Sequence, residues 1–137
     1  MVNQINAPNL VMLIDDNYID LKINEKIIKI TKTFEEIIIC LSGDEALTYL
    51  KSNLDNQAAL PKFILLDIQM PEMNGFEFLD QYRKLPSSFT DNCKIAMLSS
   101  TLDFGDIQRA EANPHVVKLL KKPLVPQTLV EVLKEIQ

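Results

Sequence analysis

The chain has 137 residues, 47% of them hydrophobic and 24% charged, which is enough for one α/β domain with a proper core and too few for two. A net charge of -5, with no basic cluster longer than Lys121-Lys122, excludes nucleic-acid binding through a broad basic surface. No apolar run is long enough to span a membrane, no basic signal-peptide region opens the chain, and the two cysteines lie far apart, a pattern that fits a reducing cytoplasm.

Strand-like apolar runs alternate five times with amphipathic, helix-like stretches. The first strand, Leu10–Asp15, ends in Asp15-Asp16. The first helix is expected over Asn17–Thr31, where Ile19, Ile23, Ile27 and Ile30 form one stripe. Leu21 and Ile28 fall off that stripe, and either pack on a neighbouring helix or form an apolar docking patch beside Asp15-Asp16. A strand over Glu36–Leu41 precedes a helix over Asp44–Asn53, opened by Ser42 and Glu45 in a capping-box spacing. Cys40 in that strand and Cys93 later read as small apolar residues.

The next strand, Lys62–Asp67, carries the wholly apolar run Phe63-Ile64-Leu65-Leu66, as expected of a strand buried on both faces. Asp67 closes it, and Met70-Pro71-Glu72-Met73-Asn74-Gly75 then reads as a tight turn into a helix over Gly75–Leu85. A strand over Lys94–Ser99 ends in Ser99-Ser100, followed by a helix over Asp103–Asn113. The last strand, His115–Leu120, ends in Lys121-Lys122-Pro123. The last helix, Pro126–Ile136, has Pro in its first turn, and its Leu129, Val132, Leu133 and Ile136 should face the sheet. Repeated βα units imply an α/β fold with a parallel sheet, helices on both faces and right-handed crossovers.

In such a sheet the strand C-termini share one edge, where ligands bind. Asp15, Asp16, Asp67, a serine hydroxyl and a lysine ammonium therefore converge. Carboxylates this close repel, and a bound divalent cation removes the strain. Oxygen donors without His or Cys point to Mg²⁺ or Mn²⁺, with the Gln69 carbonyl as a natural third ligand. A carboxylate such as Asp67 can accept a phosphoryl group. Lys122 would neutralise that group's oxygens, with Lys121 as its competitor. Ser99 would supply the hydroxyl, and Ser100 is the small residue that leaves room. No Gly-rich phosphate cradle is present, which argues against ATP binding. His115 reads as a strand-edge histidine.

These residues resemble a family. Leu13-Ile14-Asp15-Asp16, Leu65-Leu66-Asp67-Ile68-Gln69-Met70-Pro71 with Asn74-Gly75, Met97-Leu98-Ser99-Ser100 and Lys121-Lys122-Pro123 together resemble the receiver domains of two-component response regulators, over about Leu10 to Gln137. The resemblance implies a flavodoxin-like (βα)5 three-layer sandwich whose parallel five-stranded sheet runs in the order 2-1-3-4-5. It implies one receiver domain over 1–137, with a core from about residue 9 and no output domain.

It further implies that Asp67 takes a phosphoryl group from a phosphohistidine on a sensor histidine kinase or a histidine phosphotransfer protein. Asp16, Asp67 and the Gln69 carbonyl would bind Mg²⁺, with Asp15 acting mostly through water on the metal. Lys122 would pair with the phosphorylated Asp67, Ser99 would move toward the phosphate, and Pro123 would follow a cis peptide. Output would be docking of a target protein on the face made by the fourth helix, last strand and last helix, as a monomer or a phosphorylation-dependent dimer. Leu119 departs from the common pattern, because many receivers carry an aromatic rotamer switch there; coupling is then expected through Ser99 and repacking of the last strand.

The resemblance describes a switch that catalyses only its own phosphorylation and dephosphorylation. Two other readings are an Mg²⁺-dependent phosphatase, which would want a second Asp where Gln69 stands, and a phosphorylation-independent scaffold, which would leave Asp67 without a role.

Overall fold

Residues 9–136 are described by a computed structural model, so the expected domain limits at 1 and 137 lie outside them. Five strands, β1 (Leu10–Ile14), β2 (Glu36–Cys40), β3 (Phe63–Asp67), β4 (Lys94–Ser99) and β5 (Val116–Lys121), form one parallel sheet in the order β2-β1-β3-β4-β5. The helices are α1 (Tyr18–Thr31), α2 (Gly43–Ser52), α3 (Gly75–Tyr82), α4 (Phe104–Ala112) and α5 (Pro126–Glu135). This is the parallel α/β sheet that the alternating pattern predicts, in the flavodoxin-like order that the resemblance implies. Every expected element is present, with ends shifted by a few residues. A 3₁₀ turn at Gln57–Ala59 and a single helical turn at Ser87–Thr90 were not expected, being too short to show a period.

Strand alternation sorts the interior into two cores. Met12, Ile14, Ile64, Leu66, Ile95 and Met97 face α2 and α3, where they meet Leu47, Leu50, Phe78 and Tyr82. Val11, Leu13, Phe63, Leu65, Ala96 and Leu98 face the other way, onto α1 and α5. All twelve strand residues are buried, so the three central strands are apolar on both faces. Each such side chain contributes roughly 1.5–3 kcal/mol on burial, which is why these runs read so clearly. Both cysteines are buried and free.

Of the two readings of Leu21 and Ile28 in α1, packing on a neighbouring helix is the one the structure bears out. Leu21 and Ile28, 3% and 1% exposed, pack with Leu129, Val132 and Leu133 of α5. They are core, not a docking patch. Ile19 and Ile30, 70% and 62% exposed, with Ile23 and Tyr18, form the outward stripe instead. Ile27 alone of the four isoleucines is buried. The buried face also holds Asn24, a polar residue that hides this face from a hydrophobic count.

The Ser42–Glu45 box is half formed: Ser42 accepts from the Glu45 N–H at 3.1 Å, at the start of α2. The complete box is at α3, where Asn74 accepts from the Glu77 N–H and the Glu77 carboxylate accepts from the Asn74 N–H, each at 2.9 Å. It fixes the end of the loop that leaves Asp67. In that loop the left-handed residue is Glu72, at φ 68°, and not a glycine. Gly75 serves by its lack of bulk: a Cβ there would sit 2.8 Å from the Asp67 carbonyl oxygen and 3.0 Å from the Ile68 Cα. Its N–H donates to the Ile68 carbonyl at 2.8 Å. Gly75→Ala is expected to destabilise the protein by about 1–3 kcal/mol, since backbone must move to admit the methyl group. Urea unfolding should show a lower midpoint with an unchanged slope; an unchanged midpoint would show that the loop yields freely.

Candidate functional site

Register and parity build the site. Ile14 pairs with Leu66, so Asp15 and Asp67 close neighbouring strands at the same level. Val11, Leu13 and Asp15 alternate onto the α1–α5 face, as do Phe63, Leu65 and Asp67. The two carboxylates thus lie on one side of the sheet, at its edge, and both are buried. Asp16 takes the opposite parity and is exposed. Ser99 pairs with Lys121, which sets Lys122 one step beyond the sheet, and the Lys122 N–H donates to the Ser99 carbonyl at 2.8 Å. The Lys122–Pro123 peptide is cis.

Of the two candidate lysines, Lys122 enters the site and Lys121 is exposed. The Lys122 Nζ donates to Asp15 Oδ2 at 2.9 Å and to Asp20 Oδ2 at 2.8 Å. It stands 3.1 Å from Asp67 Oδ1, but without hydrogen-bond geometry, and that buried oxygen has no hydrogen-bond partner. Asp15 is anchored further, its Oδ1 accepting the Asn17 N–H at 2.9 Å and its own N–H donating to the Cys40 carbonyl at 3.2 Å.

Asp20 escaped the sequence reading. It lies in the first turn of α1, where an acidic residue is ordinary because it complements the helix dipole. Asn17 caps that turn by accepting the Asp20 N–H at 3.0 Å. The available signal was that α1 leaves the sheet directly after Asp15-Asp16, which keeps its first turn over the site.

The electrostatics follow from burial. Loss of water pushes the Asp67 carboxyl up from 3.8 to about 6, Asp15 adds to this, and Lys122 opposes it. Burial alone would pull the Lys122 ammonium down, but its pairing with Asp20, Asp15 and Asp67 holds it above the ordinary lysine value. Asp15, Asp16 and Asp67 each offer a carboxylate oxygen within 4.8 Å of the others. An oxygen-only donor set with an orphaned buried carboxylate oxygen fits a hard divalent cation.

The remaining expected residues rim the site. Ser99 is fully buried, its hydroxyl donating to the Thr101 carbonyl at 2.6 Å and accepting the Thr101 N–H at 3.2 Å. Ser100 is exposed and donates to the Gln69 side-chain oxygen at 3.1 Å, while the Gln69 amide donates to Thr101 Oγ1 at 3.3 Å. Gln69 thereby ties the β3 loop to the β4 loop, and its amide offers no titratable proton for acid–base work. Leu119 is half-buried against the core beside Met97, and with Leu102, Ile107 and Ala110 lines a cavity of about 250 Å³ between α4 and β5. His115 precedes β5 and packs edge-on against Tyr82.

Comparison with known proteins agrees with this geometry. The family model described as response regulator receiver domain matches residues 11–134. The fold superposes on a crystal structure of a two-component response regulator from Cytophaga hutchinsonii with a TM-score of 0.87, at 32% identity over 94% of this chain and 96% of that one. A probable methanogenesis regulatory protein, FilR2, from Methanothrix harundinacea is 28% identical, covering 95% of this chain and 82% of that protein. The histidine kinase CKI1 of Arabidopsis thaliana is 29% identical over 93% of this chain, a match that spans 12% of the kinase. No described helix is long and apolar enough to cross a membrane. With four motif segments gathered at one sheet edge and a family match across nearly all the described residues, the chain belongs to the response regulator receiver domains of two-component signalling.

Proposed function

We propose that this receiver is a phosphoacceptor switch in which Asp67 takes a phosphoryl group from a phosphohistidine. The observation that carries the reading is the buried Asp67 oxygen without a hydrogen bond, beside the Lys122 ammonium at the C-terminal edge of the sheet. An Asp67 carboxylate oxygen forms the new P–O bond. The P–N bond to the donor histidine breaks, and the imidazole nitrogen keeps the electron pair and takes a proton from solvent. Little covalent assistance is needed, so the work is positioning and charge neutralisation. Asp16, Asp67 and the Gln69 carbonyl would hold Mg²⁺, with Asp15 beside them; when bound, the ion supplies positive charge against the phosphoryl oxygens. Lys122 pairs with the phosphorylated Asp67. Ser99 turns its hydroxyl from Thr101 to a phosphoryl oxygen, and Ser100 leaves room for the group.

The donor is a sensor histidine kinase or a histidine phosphotransfer protein, a reading supported by similarity to a segment of a protein named as a histidine kinase. The exposed α1 stripe of Tyr18, Ile19 and Ile23, flanked by Lys22 and Lys26, borders the acidic edge and replaces Leu21 and Ile28 as the candidate donor surface. The signal leaves through α4, β5 and α5, where Phe104, Val125 and Val130 are exposed for a target protein.

Acetyl phosphate with Mg²⁺ should add one phosphoryl group to the wild type and none to Asp67→Asn, read by intact-mass spectrometry. An adduct on Asp67→Asn would place the acceptor elsewhere.

The Asp67 shift also predicts a pH dependence. An acid whose pKa is higher in the folded state takes its proton there first, so metal-free stability rises as pH falls through about 6, and the Asp67 penalty is fully present above it. Asp67→Asn should therefore stabilise the metal-free protein at pH 8 by roughly 1–3 kcal/mol, with the gain fading as pH falls from about 6 toward 3.8. Mg²⁺ should stabilise the wild type at pH 8 and lose its effect over the same window, because its ligands must be deprotonated. Urea unfolding across pH checks both; a stability difference independent of pH would refute the assignment of strain to Asp67.

A further inference from the structure

Lys122 can donate three hydrogen bonds, and two are committed, to Asp15 and to Asp20. The third carboxylate, Asp67, is within 3.1 Å but receives none of acceptable geometry. The ammonium thus gives its hydrogen bonds to Asp15 and Asp20 and meets Asp67 only as a close ion pair.

We propose that Asp20 is a positioning residue that restrains Lys122: it takes one of the ammonium's hydrogen bonds, leaving Asp67 an ion pair without one, and so limits how readily the site takes a phosphoryl group. The inference rests on Asp67 being the phosphoacceptor and deepens that reading by naming an internal competitor for its lysine. Asp20 comes from a different element than the motif residues, and its contact with Lys122 is the shortest of the three, at 2.8 Å. Its backbone is fixed by the Asn17 cap at the first turn of α1, so the carboxylate is held over the site by the helix.

The three carboxylates differ in what happens when the lysine leaves. The side chains of Asp15 and Asp67 are 3% and 4% exposed, and neither can be left uncompensated without a large desolvation cost. The Asp20 side chain is 30% exposed. It can release Lys122 and turn to water. Asp20 is therefore the partner that gives way when a phosphoryl group adds charge at Asp67. The Asp20 side of this ion pair is open to water, which weakens it, so the restraint tunes the site and does not close it. Removing it should ease binding of a phosphoryl group about threefold to tenfold.

The test uses beryllium fluoride with Mg²⁺ as the phosphoryl probe, titrated calorimetrically into wild type, Asp20→Asn and Asp67→Asn, together with a crystal structure of metal-free Asp20→Asn. The expected result is tighter probe binding by Asp20→Asn, about threefold to tenfold, with Lys122 Nζ moved to hydrogen-bond Asp67. Damage to the fold would lower affinity, so a rise is not a structural side effect. Tighter binding with Lys122 unmoved would mean that Asp20 acts only through its charge, and would overturn the proposal. Unchanged or weaker binding would overturn it as well, the latter meaning that Asp20 prepares Lys122 for the phosphoryl group. Failure of the wild type to bind the probe, or binding by Asp67→Asn, would instead sink the phosphoacceptor reading. In that event the position of Lys122 in Asp20→Asn still decides whether Asp20 restrains it.

Discussion

Four carboxylates face one ammonium at the C-terminal edge of this sheet, and the site is organised around that imbalance. Two are buried by strand parity: alternation that carries Val11 and Leu13 into the α1–α5 core carries Asp15 to the same side, and Phe63 and Leu65 do the same for Asp67. The hydrophobic cores that hold β1 and β3 together thus force two like charges into proximity. In a medium of low effective dielectric that repulsion is worth several kcal/mol. Lys122 offsets part of it, and its ion pairs join the end of β5 to the end of β1, to α1 and to β3. The arrangement is stable enough to fold yet short of positive charge. Under the proposed function, a divalent cation would correct the deficit, and a phosphoryl group would then restore a need for positive charge beside Lys122.

The fold was legible because its strands are short, apolar and ended by polar residues. Phe63-Ile64-Leu65-Leu66 read as a strand covered on both faces, and the polar residue after each such run marks the ligand edge. The same logic placed Asp15, Asp67, Ser99 and Lys122 at one edge without knowledge of the pairing. The register adds what the sequence lacked: pairing of Ile14 with Leu66 and of Ser99 with Lys121 sets the residues at matching levels.

What stayed hidden depends on direction, which composition does not encode. The α1 helix carries isoleucines at 19, 23, 27, 28 and 30 and a leucine at 21, so apolar residues surround most of its circumference. Apolar content alone assigns no face, and Leu21, Asn24 and Ile28 turn inward because the sheet and α5 meet the helix on that side. Asp20 was hidden for a related reason. Near a helix N-terminus an aspartate already has a local explanation, and its long-range partner lies 102 residues away. Gly75 was legible as a turn residue, but its need for space beside the Asp67 carbonyl shows only in three dimensions.

The absence of an aromatic residue at Leu119 bears on how a change at Asp67 would reach a partner. Lys122 is bound through its backbone to the Ser99 carbonyl, so β4 and β5 move together at this edge. Two residue pairs further into the sheet, past Leu98 and Leu120, Leu119 meets Met97 and borders the cavity beneath α4. A leucine cannot flip between an inward and an outward ring, so the freedom there belongs to α4. That helix buries only Ala110 among its residues, and Arg109 stacks over Phe76 of α3 at 3.9 Å. With one buried residue and a cavity beside it, few α4 side chains would have to repack if the helix shifted. Under the proposed function, a turn of the Ser99 hydroxyl toward the phosphoryl group releases Thr101, the loop that leads into α4 follows, and the exposed Phe104 at the start of that helix changes position without any aromatic switch in β5.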